Sequence, residues 1–357
     1  GKVLKAAPQA FQVGAFLQER VRGIPDNLTL RIGLDSSLGD SLPQAQHALQ
    51  AIQYIEVLPV EQGKVDYILG RISTAYLEQL HAPPGATLPP VGSIGLFLPG
   101  QKLVVGSFGK QGENAIAAIQ RLQAKFKSLL ATYAVKLALN PNSSRLNVKA
   151  WMTREESDQG LLASTFTLRG SSNTSKPTQV SEQNKSSLGT LSTTPALPLQ
   201  TPVQLHIANN ERRILYCSIL VLDSAREISV IFPNQWTTTE DVMRVEAGQT
   251  LIVPDASKDL FRFVTIEPKG IAEVLIVASL QPLRKTLSSL RAIASRGGNQ
   301  GGPIVLNAPG DPTEVITNLL DDLDASNSTA ISATDNQGIR YLDTTQIAVL
   351  SIPFEVI

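Results

Sequence analysis

Val203-Gln-Leu-His-Ile-Ala-Asn209 and Arg213-Ile-Leu-Tyr-Cys-Ser-Ile-Leu-Val-Leu222, joined by Asn210-Glu-Arg212, form the stretch on which the fold turns. In the first segment Val203, Leu205 and Ile207 alternate with polar residues, the signature of a half-buried strand. After the Asn209-Asn210-Glu211 turn, the second returns as a strongly apolar core strand. Further short strands are expected at Glu227–Phe232, Gln249–Val253, Leu260–Ile266 and Ala272–Leu280, punctuated by Pro233-Asn234, Pro254-Asp255 and Pro268-Lys-Gly270. Even spacing with proline and glycine turns reads as a β-sandwich. Helices over Leu283–Ser295 and Pro312–Leu323 flank the glycine-rich Gly297–Gly302, and Gln346–Val356 reads as a final strand.

Upstream of this module, Ser171–Thr194 contains only Val180, Leu188 and Leu191 as apolar residues, too few to offset the entropy of ordering the chain, so it reads as a disordered linker. The amino-terminal part mixes both periodicities. Leu28, Leu30, Ile32 and Leu34 alternate as a strand, Asp35 and Ser36 supply turn and capping chemistry, and Pro43–Ile52 reads as a short helix. Tyr54–Val60 and Val65–Ile72, around Glu61-Gln-Gly-Lys64, are expected to form a hairpin, as are Ile94–Leu98 and Leu103–Phe108 around Pro99-Gly100. His81–Pro90 is too rich in proline for helix or ladder and reads as an exposed connection. Asn114–Leu139 carries the clearest helical stripe, through Ile119, Leu122, Phe126, Leu129, Tyr133 and Leu137. Asn140-Pro-Asn stops it, and Leu146, Val148 and Ala150 resume alternation into Trp151.

The expected class is therefore α+β: an amino-terminal α/β segment (1–154) with a mixed sheet and one long helix, an extended linker (155–200), and an immunoglobulin-like β-sandwich with flanking helices (201–357). At 357 residues and 42% apolar, the chain can bury a core for two such units at roughly 150 residues each. Lys+Arg and Asp+Glu both number 31, so no net field draws the chain to nucleic acid or an anionic membrane. Apolar runs such as Ile214–Leu222 fall short of the roughly 20 residues of a bilayer span, so a soluble segment is expected. The mixed sequence from Val3 to Leu17 is no signal-peptide core, and Gly1 reads as an internal start, with any targeting signal and any chemistry expected upstream. Bacterial cytoplasm and periplasm both stay open, because one cysteine does not distinguish them.

No catalytic, cofactor-binding or metal residue is assigned. Cys217, the sole thiol, sits in strand-core sequence without the basic or helix-terminal surroundings that activate a thiol. His47, His81 and His206 fall on a helix, a loop and a strand, with no second ligand type at metal spacing. Asp322-Leu-Asp324-Ala-Ser326 opens like a calcium loop beside Asp321, but Asn327 stands where the turn glycine belongs and Ala333 where the bidentate Glu is needed. Gly297-Gly-Asn-Gln-Gly-Gly302 lacks the Lys-Ser/Thr of a phosphate loop and reads as a connection. Arg212-Arg213 and Arg284-Lys285 with Arg291 and Arg296 lack interleaved aromatics, so they read as solvated faces rather than a nucleic-acid surface. The acids Glu240, Asp241 and Asp255 fall in loops without an evident partner.

Several of these stretches resemble a known family. Leu28-Thr-Leu-Arg-Ile-Gly-Leu-Asp35, Asp66-Tyr-Ile-Leu-Gly-Arg71, the Asn114–Leu139 helix and Asn142-Ser-Ser-Arg-Leu-Asn-Val148 resemble the region after the peptidase domain of cyanobacterial caspase-like proteins, the orthocaspases. Val203–Asn209, Ile231-Phe-Pro-Asn234, Ala247-Gly-Gln-Thr250, Ile252-Val-Pro254 and Tyr341–Ile357 look like the uncharacterised β-rich domain that ends many of them. The peptidase domain of that family carries a His/Cys dyad; no His-Gly pair and no Gln-Ala-Cys sequence occurs here, so no catalytic residue is carried over. The resemblance implies an accessory region of a caspase-like cysteine endopeptidase, with the parent's own peptidase domain or other proteins as partners. The alternative is an independent ligand- or envelope-binding module, with the loops near Trp236 and Pro254 as its contact surface.

Overall fold

The computed structural model describes residues 19–60, 63–80, 88–155, 157–169, 194–236, 240–298, 301–308, 310–324 and 338–357, with the side chains of 157–159 and 240 left aside. The expectations placed on 1–18, on most of His81–Pro90, on nearly all of Ser171–Thr194 and on Asn299, Gln300, Ser326, Asn327 and Ala333 lie outside the described residues.

The chain begins with β1 (Val21–Pro25), β2 (Leu30–Leu34), α1 (Leu42–Gln50), β3 (Ile55–Leu58), β4 (Tyr67–Arg71), α2 (Thr74–Gln79), β5 (Ile94–Phe97) and α3 (Ala115–Leu137). There follow β6 (Val148–Arg154), β7 (Ser157–Phe166), β8 (Ala196–Leu197), β9 (Pro202–Asn209), β10 (Leu215–Leu222), β11 (Ile228–Phe232) and β12 (Arg244–Val245). The last are β13 (Thr250–Val253), β14 (Phe263–Val264), β15 (Gly270–Ser279), α4 (Arg284–Arg296), β16 (Ile304–Val305), α5 (Asp311–Asp324), β17 (Ile339–Asp343) and β18 (Ile347–Val356). The class is α+β, with two facing β-sheets and helices to one side.

The larger sheet runs β16-β11-β10-β15-β18-β8, with β12 added to β10; the smaller runs β13-β9-β6-β7, with β14 added to β9. Between them Val203, Leu205 and Ile207 meet Cys217, Ile219 and Val274. On the far face of the larger sheet, Leu220, Leu275 and Val349 meet Leu290 of α4 and Val315 and Leu319 of α5. Strand β10 is apolar nearly throughout because both of its faces are buried. The turn after Asn209 is accordingly no hairpin: β9 lies in the small sheet and β10 in the large one, so the chain arches from sheet to sheet. Buried Asn209 holds that arch, its Nδ2 donating to the carbonyls of Arg213, Val245 and Glu246 at 2.9–3.0 Å.

The boundary expected at Arg154 falls inside a sheet. Strand β6 pairs with β9 from Val148↔Asn209 to Arg154↔Val203, and β7, inside the expected linker, pairs with β6. The linker composition is confined to Ser171–Thr194, and the alternation from Leu146 already belonged to the sandwich. Strand β1 likewise pairs with β17, the opposite end of the chain.

The amino-terminal sheet has order β3-β2-β4-β5, with β3 and β4 both parallel to β2 and β5 antiparallel. The hairpin expected between β3 and β4 is instead a crossover, since β2 lies between them. Gly33 permits it: a Cβ there would stand 2.7 Å from Val60 Cγ2, so only a bare backbone lets the crossing chain lie on β2. Asp66 secures its far end, accepting from Arg31 N at 2.9 Å and from its guanidinium at 2.6 Å. The turn at Pro99-Gly100 does fold back, with Val104 N donating to Leu96 O at 2.9 Å, but its second arm makes a bridge at Leu103 rather than a strand.

Helix α3 joins the two parts. Asn114 caps it, accepting from Ala117 N at 2.8 Å. Ile119, Leu122, Phe126 and Leu129 pack on the amino-terminal sheet, while Ala131, Ala134, Val135 and the following Ala138 pack against α5 in the core behind the larger sandwich sheet. Midway, Lys125 Nζ donates to Ala225 O and Ser128 Oγ to Arg226 O, gripping the β10–β11 turn. Beyond the helix, Asn140 Oδ1 accepts from Val349 N at 2.7 Å.

Candidate functional site

The residues with reactive side chains are placed first. Cys217 is fully buried between the two sheets, opposite Ala278, and loss of solvation pushes its thiol up to about 12. Such a thiol is protonated at any ordinary pH and is core material. His206 lies on the outer face of the small sheet, stacked on Trp151 at 5.0 Å between ring centres, its Nε2 3.1 Å from Thr153 Oγ1. His47 is exposed on α1, and His81 lies outside the described residues.

The acidic run ties elements together. Both oxygens of Asp322 accept from the first turn of α4, from Lys285 N at 3.0 Å and Thr286 N at 2.8 Å, and the Thr286 hydroxyl adds a third bond at 2.7 Å. Asp321 pairs with Arg340 at 2.7 Å, and Asp324 accepts from Tyr341 N at 2.8 Å. No group of three or more metal-ligating side chains occurs among the described residues. In the basic patches, Lys285 meets Asp321 at 3.5 Å and Arg296 meets Asp311 at 2.8 Å, while Arg212 and Arg213 are exposed. No described helix is long and apolar enough to cross a membrane.

What the structure brings together is a cleft of about 510 Å³ at the open side of the sandwich. One wall is β13 with its approach, Gln249 to Val253; the other is Phe232 of β11 and Arg244–Glu246 around β12. Asn234, Gln235, Asp255, Lys258 and Asp259 close one end, in the loops that follow the cis peptide bonds Phe232–Pro233 and Val253–Pro254. The glycine stretch backs this end: Gly302 N donates to Asn234 O at 2.7 Å, and Trp236 Nε1 to Gly302 O at 3.1 Å. A smaller cavity of about 260 Å³, between Leu260–Phe261 and Gly301–Gly302, shares Asn234 and Asp259 with it.

Two physical features define the cleft. Its charges are spent on each other: Arg244 meets Glu246 at 2.7 Å, and Lys258 meets Asp255 at 2.9 Å. Asp255 also accepts from Ser257 Oγ at 2.6 Å, and that bond, then Lys258, lowers its carboxyl to about 2. The second feature is backbone. Strand β13 pairs with β9 on one side only. Because Asn209 N donates to Gln249 O and bonded pairs alternate along an antiparallel ladder, Leu251 and Val253 exchange bonds with β9, and Thr250 and Ile252 turn theirs outward. Among the described residues no other strand occupies that edge.

Reading the sequence missed this cleft. It named the loops near Trp236 and Pro254 as a contact surface and Asp255 as an isolated acid, but the far wall, Arg244 to Glu246, is built on β12, a strand of two residues that no periodicity reveals.

Residues 196–282, from β8 to just past β15, match a family described as a domain of unknown function (DUF4384). The cleft's β13 wall and its β11–β12 wall both fall within that match. Comparison with curated proteins and with solved structures returns no match.

Proposed function

We propose that this chain is a non-catalytic accessory region of a caspase-like cysteine endopeptidase, acting by protein contact, with the cleft beside β13 as the place where an extended polypeptide docks. The observation that carries the contact is the unpaired edge of β13 along the cleft. An incoming strand satisfies the outward N–H and C=O groups of Thr250 and Ile252, and side chains at alternate positions enter the cleft. The internally paired charges suit this, because they place no unneutralised field against a polypeptide. The link to proteolysis rests on the orthocaspase resemblance, and burial of Cys217 supports a non-catalytic role.

Two measurements test the proposal. Incubated with arginine-directed peptide substrates, the chain is expected to release no product; hydrolysis abolished by Cys217→Ala overturns the non-catalytic reading. Titrated with a separately expressed orthocaspase peptidase domain, it is expected to form a complex that Ile252→Pro weakens by about tenfold or more while the melting temperature holds, since proline is tolerated on an edge strand. The polar end of the cleft favours a second reading, an independent ligand- or envelope-binding module; absence of any complex with the peptidase domain selects it over the first.

A further inference from the structure

A second cleft, independent of that reading, lies in the amino-terminal sheet. Strands β2 and β4 are parallel neighbours. The chain leaves β2 for α1, whose Ala45 and Leu49 pack on one face of the sheet with Leu30 and Ile32. It leaves β4 for α2, whose Tyr76 and Leu77 pack on the other face with Ile68 and Phe97. Adjacent parallel strands whose connections depart to opposite faces leave a crevice beyond their carboxyl ends, and this is where open α/β sheets bind their ligands. A cavity of about 330 Å³ opens at that point. Its size is within the range of small-molecule sites, at the low end.

Asp35 follows the end of β2, and Arg71 is the last residue of β4; both line the cavity. Their backbones are fastened together, because Asp35 Oδ1 accepts from Ser37 N at 2.8 Å and Ser37 Oγ accepts from Arg71 N at 2.9 Å. Arg71 Nη1 is held by Gly92 O at 2.9 Å. Neither charge forms an ion pair among the described residues, unlike the charges of the sandwich cleft. Tyr76 and Phe97 meet edge to face at 5.3 Å and, with Val60 and Ile68, make an apolar wall; the Tyr76 hydroxyl donates to Gln101 O at 2.5 Å, which fixes the ring.

An apolar wall beside one unpaired anion and one unpaired cation calls for an amphipathic zwitterion. A phosphate ligand is disfavoured, since Asp35 stands where the phosphate charge would come and the loop Asp35-Ser-Ser-Leu-Gly-Asp40 is not glycine-rich. A purely apolar ligand would strip water from both charges without replacing it. We propose that this crevice binds a free hydrophobic α-amino acid or dipeptide, its carboxylate on Arg71, its ammonium on Asp35 and its side chain against Tyr76 and Phe97.

Calorimetry on the whole chain with L-leucine, L-phenylalanine and Leu-Leu, against N-acetyl-leucine amide as the uncharged control, tests this. At least one zwitterion is expected to bind with a Kd below about 1 mM, and the control about tenfold more weakly. Asp35→Asn keeps an acceptor for Ser37 N, and Arg71→Gln keeps a donor for Gly92 O, so both variants are expected to melt like the parent while each loses about tenfold in affinity for the zwitterion. Leucinol, which lacks the carboxylate, is expected to be indifferent to Arg71→Gln and sensitive to Asp35→Asn. No binding by any zwitterion, equal binding by the amide, or affinity unchanged in both variants overturns the assignment.

Discussion

The two clefts present opposite chemistries. Beside β13, each cation has a carboxylate within 3 Å, and what the cleft offers is a strand edge that no other strand of the described residues occupies. Beyond β2 and β4, the carboxylate and guanidinium hold their loops by backbone bonds and form no ion pair among the described residues. The first arrangement reads main chain, which every polypeptide shares; the second reads charge separation, which few small molecules share. On the two proposals, one chain carries a permissive contact and a selective one, and helix α3 is the element that packs against both parts.

The largest predicted effect breaks that coupling. Phe126 is fully buried on α3, one residue from Lys125, which grips the β10–β11 turn. Phe126→Ala is expected to cost about 3–5 kcal/mol. Because α3 belongs to two cores, urea unfolding followed by Trp151 and Trp236 fluorescence should stay a single transition at lower urea. A loss confined to a first phase, with the tryptophans unaffected, would show two parts that fold separately.

The second prediction concerns the sealed interior behind the sandwich cleft. Cys217→Ser places a hydroxyl where the surroundings are apolar, at an expected cost of about 1–3 kcal/mol, read from the shift in the urea midpoint. The native thiol should resist a disulfide reagent until the protein opens, its pKa of about 12 keeping it neutral. Fast modification of the folded chain would mean that the sandwich interior is as open as its edge.

How much of this was legible beforehand depends on which physical signal each feature leaves. Alternation in β9, the stripe of α3 apart from Tyr133, which is exposed, and the proline and glycine punctuation of the sandwich marked elements correctly, because local periodicity records which face is buried. Pairing was not legible. Strands β3 and β4 looked like the arms of a hairpin, and Gly33, the residue that lets the chain cross β2 between them, gave the sole hint to the contrary. The amino-terminal crevice was invisible, because Asp35 reads as capping chemistry, which it also is, and Arg71 as an ordinary strand end, until topology sets them side by side.

A third prediction separates stability from recognition. Asp322→Ala removes three bonds at the start of α4, behind the larger sheet and away from the residues lining either cleft, and is expected to cost about 2 kcal/mol. Binding at both clefts should survive in the folded fraction. A variant that keeps its stability would show that the Asp322 bonds do not hold α4, and one that loses binding while still folded would tie recognition to the helical layer.

The smallest effect sharpens the contrast at the rim of the sandwich cleft. Asp255 is held ionised first by Ser257 and then by Lys258, with its carboxyl lowered from 3.8 to about 2. A depressed folded pKa gives stabilisation that is complete above the unfolded value and fades as pH falls through the folded one. The Asp255–Lys258 pair should therefore persist from neutrality down to about pH 3 and be lost toward pH 2. Carboxyl-detected titration of the folded chain should place the Asp255 midpoint near 2, and Ser257→Ala and Lys258→Ala should each move it toward 3.8. Were Ser257→Ala to leave the midpoint near 2, the turn would be held by Lys258 rather than by its hydroxyl bond, and rim and crevice would differ less in their chemistry than their geometry implies.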